Sequence, residues 1–224
     1  MTDDEYITHF SLWAVIKSPL IMANDLSNLN PQAYSILSNP AILAISQDPG
    51  SRPAVRRWRY FVKETDSFGK GEIQMWAGSQ SNGDEVVLLV NAGNSDREMN
   101  ATLSDIFWDS GPIGNGPQVN EAWDVYDLWA NRMDNETAAQ IIAAANGESS
   151  TDPNSIGTEF RYNATANGGY ASGLSQGLPV LFGKKIGTVE PHGSFSAKIA
   201  RHGTGVFRLR RSSSLSINAQ KDEL

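Results

Sequence analysis

The chain has 224 residues, long for one domain and short for two, and its 40% hydrophobic and 9% aromatic content is enough for a packed core rather than a disordered chain. Its 18 basic and 25 acidic residues leave a net charge of −7. The basic residues cluster only at Arg56, Arg57, Arg59 and at Arg210, Arg211, too few to follow a phosphate backbone, so nucleic acid is not an expected partner. No apolar run approaches the ~18 residues that cross a bilayer, and the absence of cysteine removes disulfides, zinc–thiolate sites and thiol nucleophiles together.

Residues 2–17 read as an amphipathic helix. Thr2 is an N-cap, Glu5 completes a capping box, and Asp3 and Asp4 favour the positive end of the helix dipole. Tyr6, Phe10, Trp13 and Ala14 mark its buried stripe, and Ser18-Pro19 stops it. Residues 19–23 form a short continuous apolar run, which predicts a strand buried on both faces. Asn24 and Asp25 follow at its C-terminal end. Asn30-Pro31 opens a helix through about Leu37, and Asn39-Pro40 introduces residues 41–45, which suit a helical turn or a strand.

After Gln47-Asp48-Pro49-Gly50 the period changes to two. Trp58, Tyr60 and Val62 alternate with charged residues, Ile73, Met75 and Ala77 do the same, and Val86 to Val90 is a continuous apolar strand. Trp123 to Leu128 is another alternating run. Phe195, Ala197 and Ile199 are expected to pair with Val206 to Leu209 across the turn at 201–205. Many short strands with Gly-rich turns predict an antiparallel sandwich. Glu136 to Ala145 is helix-prone, residues 146–177 read as a long surface excursion, and 212–224 as a polar tail.

Blocks of this sequence resemble glycoside hydrolase family 27. They are Thr8-His9-Phe10-Ser11-Leu12-Trp13-Ala14, Lys17-Ser18-Pro19-Leu20-Ile21, Asn24-Asp25-Leu26 and Ile45-Ser46-Gln47-Asp48-Pro49. The fungal α-galactosidases of that family are similar again at 125–132, 181–187 and 202–209. The resemblance implies the last elements of a (β/α)8 TIM barrel at 1–50, an antiparallel β-sandwich at 51–211 and a flexible tail at 212–224. Residues 2–17 would then be the seventh barrel helix and 19–23 the eighth strand.

It also implies retaining hydrolysis of terminal α-galactosides, with no metal or organic cofactor. That chemistry needs two carboxyl groups ~5–5.5 Å apart. The family carries them on its fourth and sixth barrel strands, which have no counterpart in this sequence. No residue inherits a catalytic role, and the isolated chain is expected to be inactive, with the remainder of the barrel as its covalent partner. Within the family α-N-acetylgalactosaminidase activity is the neighbouring alternative; outside it, a non-catalytic carbohydrate-binding module or a structural β domain.

Asn24 and Asp25, after a strand end, are the candidates for a place near substrate, with capping and loop bonding as the plainer reading of both. Capping explains Asp3, Asp4 and Glu5; turn or surface bonding explains Asp124 and Asp127; helix packing explains His9, and turns explain His192 and His202. The segment 2–45 is expected either to expose an apolar patch or to dock on the sandwich.

Sequons at Asn100, Asn135 and Asn163, together with a C-terminal Lys221-Asp222-Glu223-Leu224 retention signal, imply the secretory route. The destination is the endoplasmic reticulum lumen if that signal is native, and secretion otherwise. No signal peptide opens the sequence, so Met1 is expected to be an internal methionine or a trimmed start.

Overall fold

The computed structural model describes residues 1–108 and 116–212, so the retention signal lies outside the described residues. Helix α1 (Asp3–Val15) begins with the expected capping box. Thr2 Oγ1 accepts from the Glu5 amide, and a Glu5 carboxylate oxygen accepts from the Thr2 amide at 2.7 Å. Helices α2 (Pro31–Leu37) and α3 (Pro40–Gln47) each start with an Asn cap and a proline in the first turn. Asn30 accepts from the Ala33 amide, and Asn39 from those of Ala41 and Ile42. The ambiguous stretch 41–45 is therefore helical.

Eight strands follow among the described residues: β1 (Val55–Phe61), β2 (Glu72–Ser79), β3 (Glu85–Asn91), β4 (Arg97–Thr102), β5 (Trp123–Asp127), β6 (Lys184–Val189), β7 (Ser194–Ile199) and β8 (Gly203–Arg211). Short helix α4 (Leu103–Ile106) follows β4. Helices α5 (Asn135–Ala145) and α6 (Gly169–Ser175) lie between β5 and β6. All paired strands are antiparallel. One sheet has the order β1-β2-β3-β8-β5-β6, and β4 pairs with β7 in a second.

The interior between the two sheets is filled by Met75, Ala77, Val87, Leu89, Met99, Ala101, Trp123, Val125, Ile199, Phe207 and Leu209, with Ile106 and Phe107 closing one side. The opposite face of the large sheet is not left to solvent. Val86, Leu88, Val90 and Val206 pack there against Phe10, Ala14, Val15, Ile36, Ile42 and Ile45 of the three N-terminal helices. Every residue of β3 is consequently buried, and this explains its unbroken apolar run: alternate side chains enter two different cores. Each such side chain contributes roughly 1.5–3 kcal/mol relative to exposure.

Three expectations are corrected. Residues 19–23 form no strand. They run without a ladder partner among the described residues, and Ile21 and Met22 are exposed; a parallel strand exists only through neighbours on either side, and none lies beside this segment. Strands β7 and β8 do not pair. The chain crosses between sheets at Ala200–Gly203, so that Phe195 meets Phe207 edge-on across the core at 5.1 Å instead of along a hairpin. The excursion at 146–177 is not wholly a surface loop. It contains 3-10 turns at Pro153–Ser155 and Thr158–Phe160 and helix α6, whose Leu174 is buried with Ala44, Leu181 and Phe182.

Both outcomes expected of the N-terminal segment occur together. Its helices dock on the sandwich, while Tyr6, Trp13, Ile21, Met22 and Leu26 remain exposed.

Candidate functional site

The exposed apolar residues edge a cleft. Tyr6, His9, Phe10 and Trp13 of α1 form one wall, and Gln32, Ala33, Ile36 and Leu37 of α2 the other, around about 260 Å³. An adjoining hollow of about 140 Å³ runs along Leu20, Ile21 and Met22 to Leu43 and shares Phe10, Trp13, Asn24 and Leu37 with the first. The His9 ring lies edge-on to Trp13, centroids 4.3 Å apart, packing along its own exposed helix face.

Asn24 lines both hollows, and Asp25 lines neither. Asp25 turns back to cap the 3-10 turn Leu26–Asn28, accepting from the Ser27 amide at 3.0 Å and from the Ser27 hydroxyl at 2.6 Å. Those bonds hold its carboxyl below the ordinary carboxylate range. The two sequence candidates are thus separated, and only the neutral amide faces the cleft.

The carboxylates around the cleft are committed to holding elements together. Arg132 forms a two-pronged pair with Asp3 (2.7 and 3.1 Å) while its Nε donates to Ser35 at 2.9 Å, tying α1 to α2. Burial alone would raise the Asp3 carboxyl, but bonds from Arg132 and Gln32 and the Arg132 charge bring it below its ordinary value. Glu5 caps Thr2 and lies 3.2 Å from His202, whose carbonyl accepts from Thr8, so α1 is pinned to the turn before β8. His202 and His192 both adopt left-handed backbone, with φ of 55° and 60°, as their turns require. On β5, Asp124 pairs with Lys185 at 2.8 Å and accepts from Thr188, and Asp127 accepts from the Trp129 amide at 2.9 Å.

Two polar clusters carried no signal that sequence reading used. Asp48 is fully buried: it accepts from the Gly50 and Ser81 amides and the Ser81 hydroxyl, and faces Arg208 at 3.6 Å. Arg208, also fully buried, donates to Asp84 at 2.7 Å, and both Arg208 and Arg210 lie over the Phe182 ring. Lys17 donates to the Ile45 and Asp48 carbonyls and to Ser51, closing the ends of α1 and α3; burial depresses its pKa, opposed by Asp48.

The second cluster is Glu85, at the start of β3, and Arg57 of β1. The parity of Glu85 was the available signal, since it shares the inward face of β3 with Val87 and Leu89. Burial pushes the Glu85 carboxyl up to about 8, opposed by Arg57. Among the described residues no group of three or more His, Asp or Glu is placed to hold a metal ion.

With this geometry in view, the comparisons with known proteins are decisive. Residues 1–48 match the family model described as alpha galactosidase A, and residues 70–149 the model for the alpha galactosidase C-terminal beta sandwich domain. An α-galactosidase of Saccharomyces paradoxus is 46% identical over 213 residues, covering 95% of this chain and 43% of the relative. The solved α-galactosidase of Saccharomyces cerevisiae with raffinose superposes with a TM-score of 0.84 at 45% identity, over 95% of this chain and 44% of that one. The chain belongs to the α-galactosidase family, glycoside hydrolase family 27, and corresponds to its C-terminal part.

It spans less than half the length of the curated relatives it matches. The fold extends to more distant members, such as α-galactosidase I of Mortierella vinacea at 22% identity and a TM-score of 0.57, where the likeness shows the fold alone. The match at 1–48 takes in the helical layer α1 to α3, and the match to the C-terminal beta sandwich model takes in β2 to β5.

Proposed function

We propose that this chain supplies the barrel end and β-sandwich of a retaining α-galactosidase acting on terminal α-D-galactosyl residues of galacto-oligosaccharides and galactomannan, and that by itself it does not cleave them. The observation that carries this reading is the 46% identity to α-galactosidases along 95% of the chain. Cleavage with retention needs an acid and a nucleophile ~5–5.5 Å apart at a sugar pocket. No carboxylate among the described residues lines either hollow, and Glu5, Asp3 and Asp25 are committed to a cap, an arginine pair and a turn.

The cleft between α1 and α2 is then the seam against which the preceding barrel elements pack, with Asn24 at the barrel's strand-end face, near the substrate pocket. Sequon residues Asn100, Asn135 and Asn163 are all exposed, which is compatible with glycans on a secretory route. No helix among the described residues is long and apolar enough to cross a membrane.

Hydrolysis of a nitrophenyl α-galactoside tests the reading. The 224-residue chain is expected to show none above the uncatalysed rate, and the same chain joined to the first part of a yeast relative is expected to show enzyme-like turnover. Turnover by the chain alone would overturn the proposal.

A further inference from the structure

The buried Glu85 has no partner that accounts for its position. It opens β3 on the inward face, opposite Ser79 of β2, where an apolar side chain would extend the core. The residue is 6% exposed, yet no hydrogen bond to its carboxyl forms among the described residues, and its nearest cation, Arg57, is 4.0 Å away. A buried carboxyl without hydrogen bonds costs stability unless something else compensates it.

Arg57 arrives by a second irregularity. The pairing of β1 with β2 slips between Arg56 and Trp58, so Arg57 is the extra residue of a β-bulge. A bulge re-aims a side chain, and here Arg57 joins Glu85 on the wall of a cavity of about 440 Å³. Phe107 forms apolar lining, and half-exposed Trp108 stands at the mouth. The Arg57 guanidinium donates to the Trp108 carbonyl at 2.7 Å, fixing that residue's backbone. Two further polar atoms at the cavity, Arg57 Nε and Gln118 Oε1, are buried without a hydrogen-bond partner. A Cβ on Gly116 would stand 2.2 Å from that amide oxygen, so the glycine leaves Gln118 its place.

We propose that this cavity, lined by β1, β2 and the start of β3 and apart from the α1–α2 cleft, binds a neutral, hydroxyl-rich saccharide. Its size is that of small-molecule sites. Its polar groups are the guanidiniums of Arg52 and Arg57 as donors and the Glu85 carboxyl and Gln118 amide oxygens as acceptors, and a sugar hydroxyl both donates and accepts. The Trp108 indole offers the apolar face on which a pyranose ring lies. Of the two guanidiniums on the wall, that of Arg57 is engaged by the Trp108 carbonyl, and the galactose 1-phosphate arm of the test below measures any preference for an anion. The carbohydrate context rests on the α-galactosidase reading, but binding here needs no hydrolysis, so the two fail separately.

The test is titration of the 224-residue chain with melibiose and with galactose to about 50 mM, tens of times a millimolar Kd, followed by indole N–H resonances. The Trp108 signal is assigned by its loss in Trp108→Phe. Saturable movement of that signal is expected. Glu85→Met keeps the volume and removes both oxygens, and it is expected to weaken binding about tenfold or more, the loss of roughly 1.4 kcal/mol. Circular dichroism confirms that the variant is folded. No saturable shift, a shift confined to other indoles, or tighter binding of galactose 1-phosphate than of galactose would each overturn the proposal.

Discussion

Glu85 occupies a position that the alternation of β3 assigns to an apolar side chain, and its protonation ties stability to pH. In the unfolded chain it titrates near 4.5; burial in the folded state raises that to about 8. The folded form therefore holds the proton more tightly. The stabilisation is fully present below pH 4.5, declines from there to about 8 by on the order of 1.4 kcal/mol per pH unit, and is then flat. Urea unfolding at several pH values is expected to show this loss, and Glu85→Gln is expected to remove that component of the slope. Arg208 behaves oppositely to a surface cation. Arg208→Ala would leave Asp84 with Arg210 as its one remaining cation among the described residues and Asp48 with its amide and hydroxyl bonds but no facing guanidinium, and is expected to cost about 3 kcal/mol, visible as a fall in the urea midpoint. The sequence displayed both residues plainly, but the meeting of Glu85 with Arg57 depends on a bulge and on a pairing partner about thirty residues away in sequence. Asp25, by contrast, was readable as a turn cap, because its partner Ser27 is two residues on.

Among the elements, those fixed by neighbouring residues were the legible ones. The capping box of α1, the Asn-Pro start of α2 and the helix-prone run of α5 follow from contacts within four positions, whereas the Asn-Pro start at 39–40 left residues 41–45 open between helix and strand. Removing one such contact has a modest price: Thr2→Ala is expected to lower stability by about 1 kcal/mol, read from thermal unfolding. Strand partnership was not legible in the same way. Residues 19–23 carry the composition of a buried strand and yet form none, while β7 and β8, joined by a hairpin-like turn, lie in different sheets. Composition reports that a segment wants burial, and only distant chain decides against what. The unbroken run of β3 was readable as a strand; that its two faces serve two different cores was not. Leu88 shows the weight of the helical layer. Although it points away from the sandwich interior, Leu88→Ala is expected to cost about 2–5 kcal/mol, as for any closely packed leucine.

For the molecule as a whole, the cleft face combines Tyr6, Trp13, Ile21 and Met22, all exposed, along hollows whose walls are mainly apolar. A contiguous surface of that kind favours association. Light scattering of the purified chain is expected to show mass rising with concentration, and the pair Ile21→Lys with Met22→Glu to suppress the rise without changing the circular dichroism spectrum. A strictly monomeric chain at all concentrations would contradict the seam assigned to this face.

Because β3 is lined with aliphatic side chains front and back, the helices and the sheets share one wall rather than meeting at a linker. A version trimmed to begin after Gly50 would bare Val86, Leu88, Val90 and Val206 to water along the middle of its broad sheet. Anyone wishing to express the β-rich portion separately would have to repaint that surface with polar residues, or carry the three short helices along as a permanent cover.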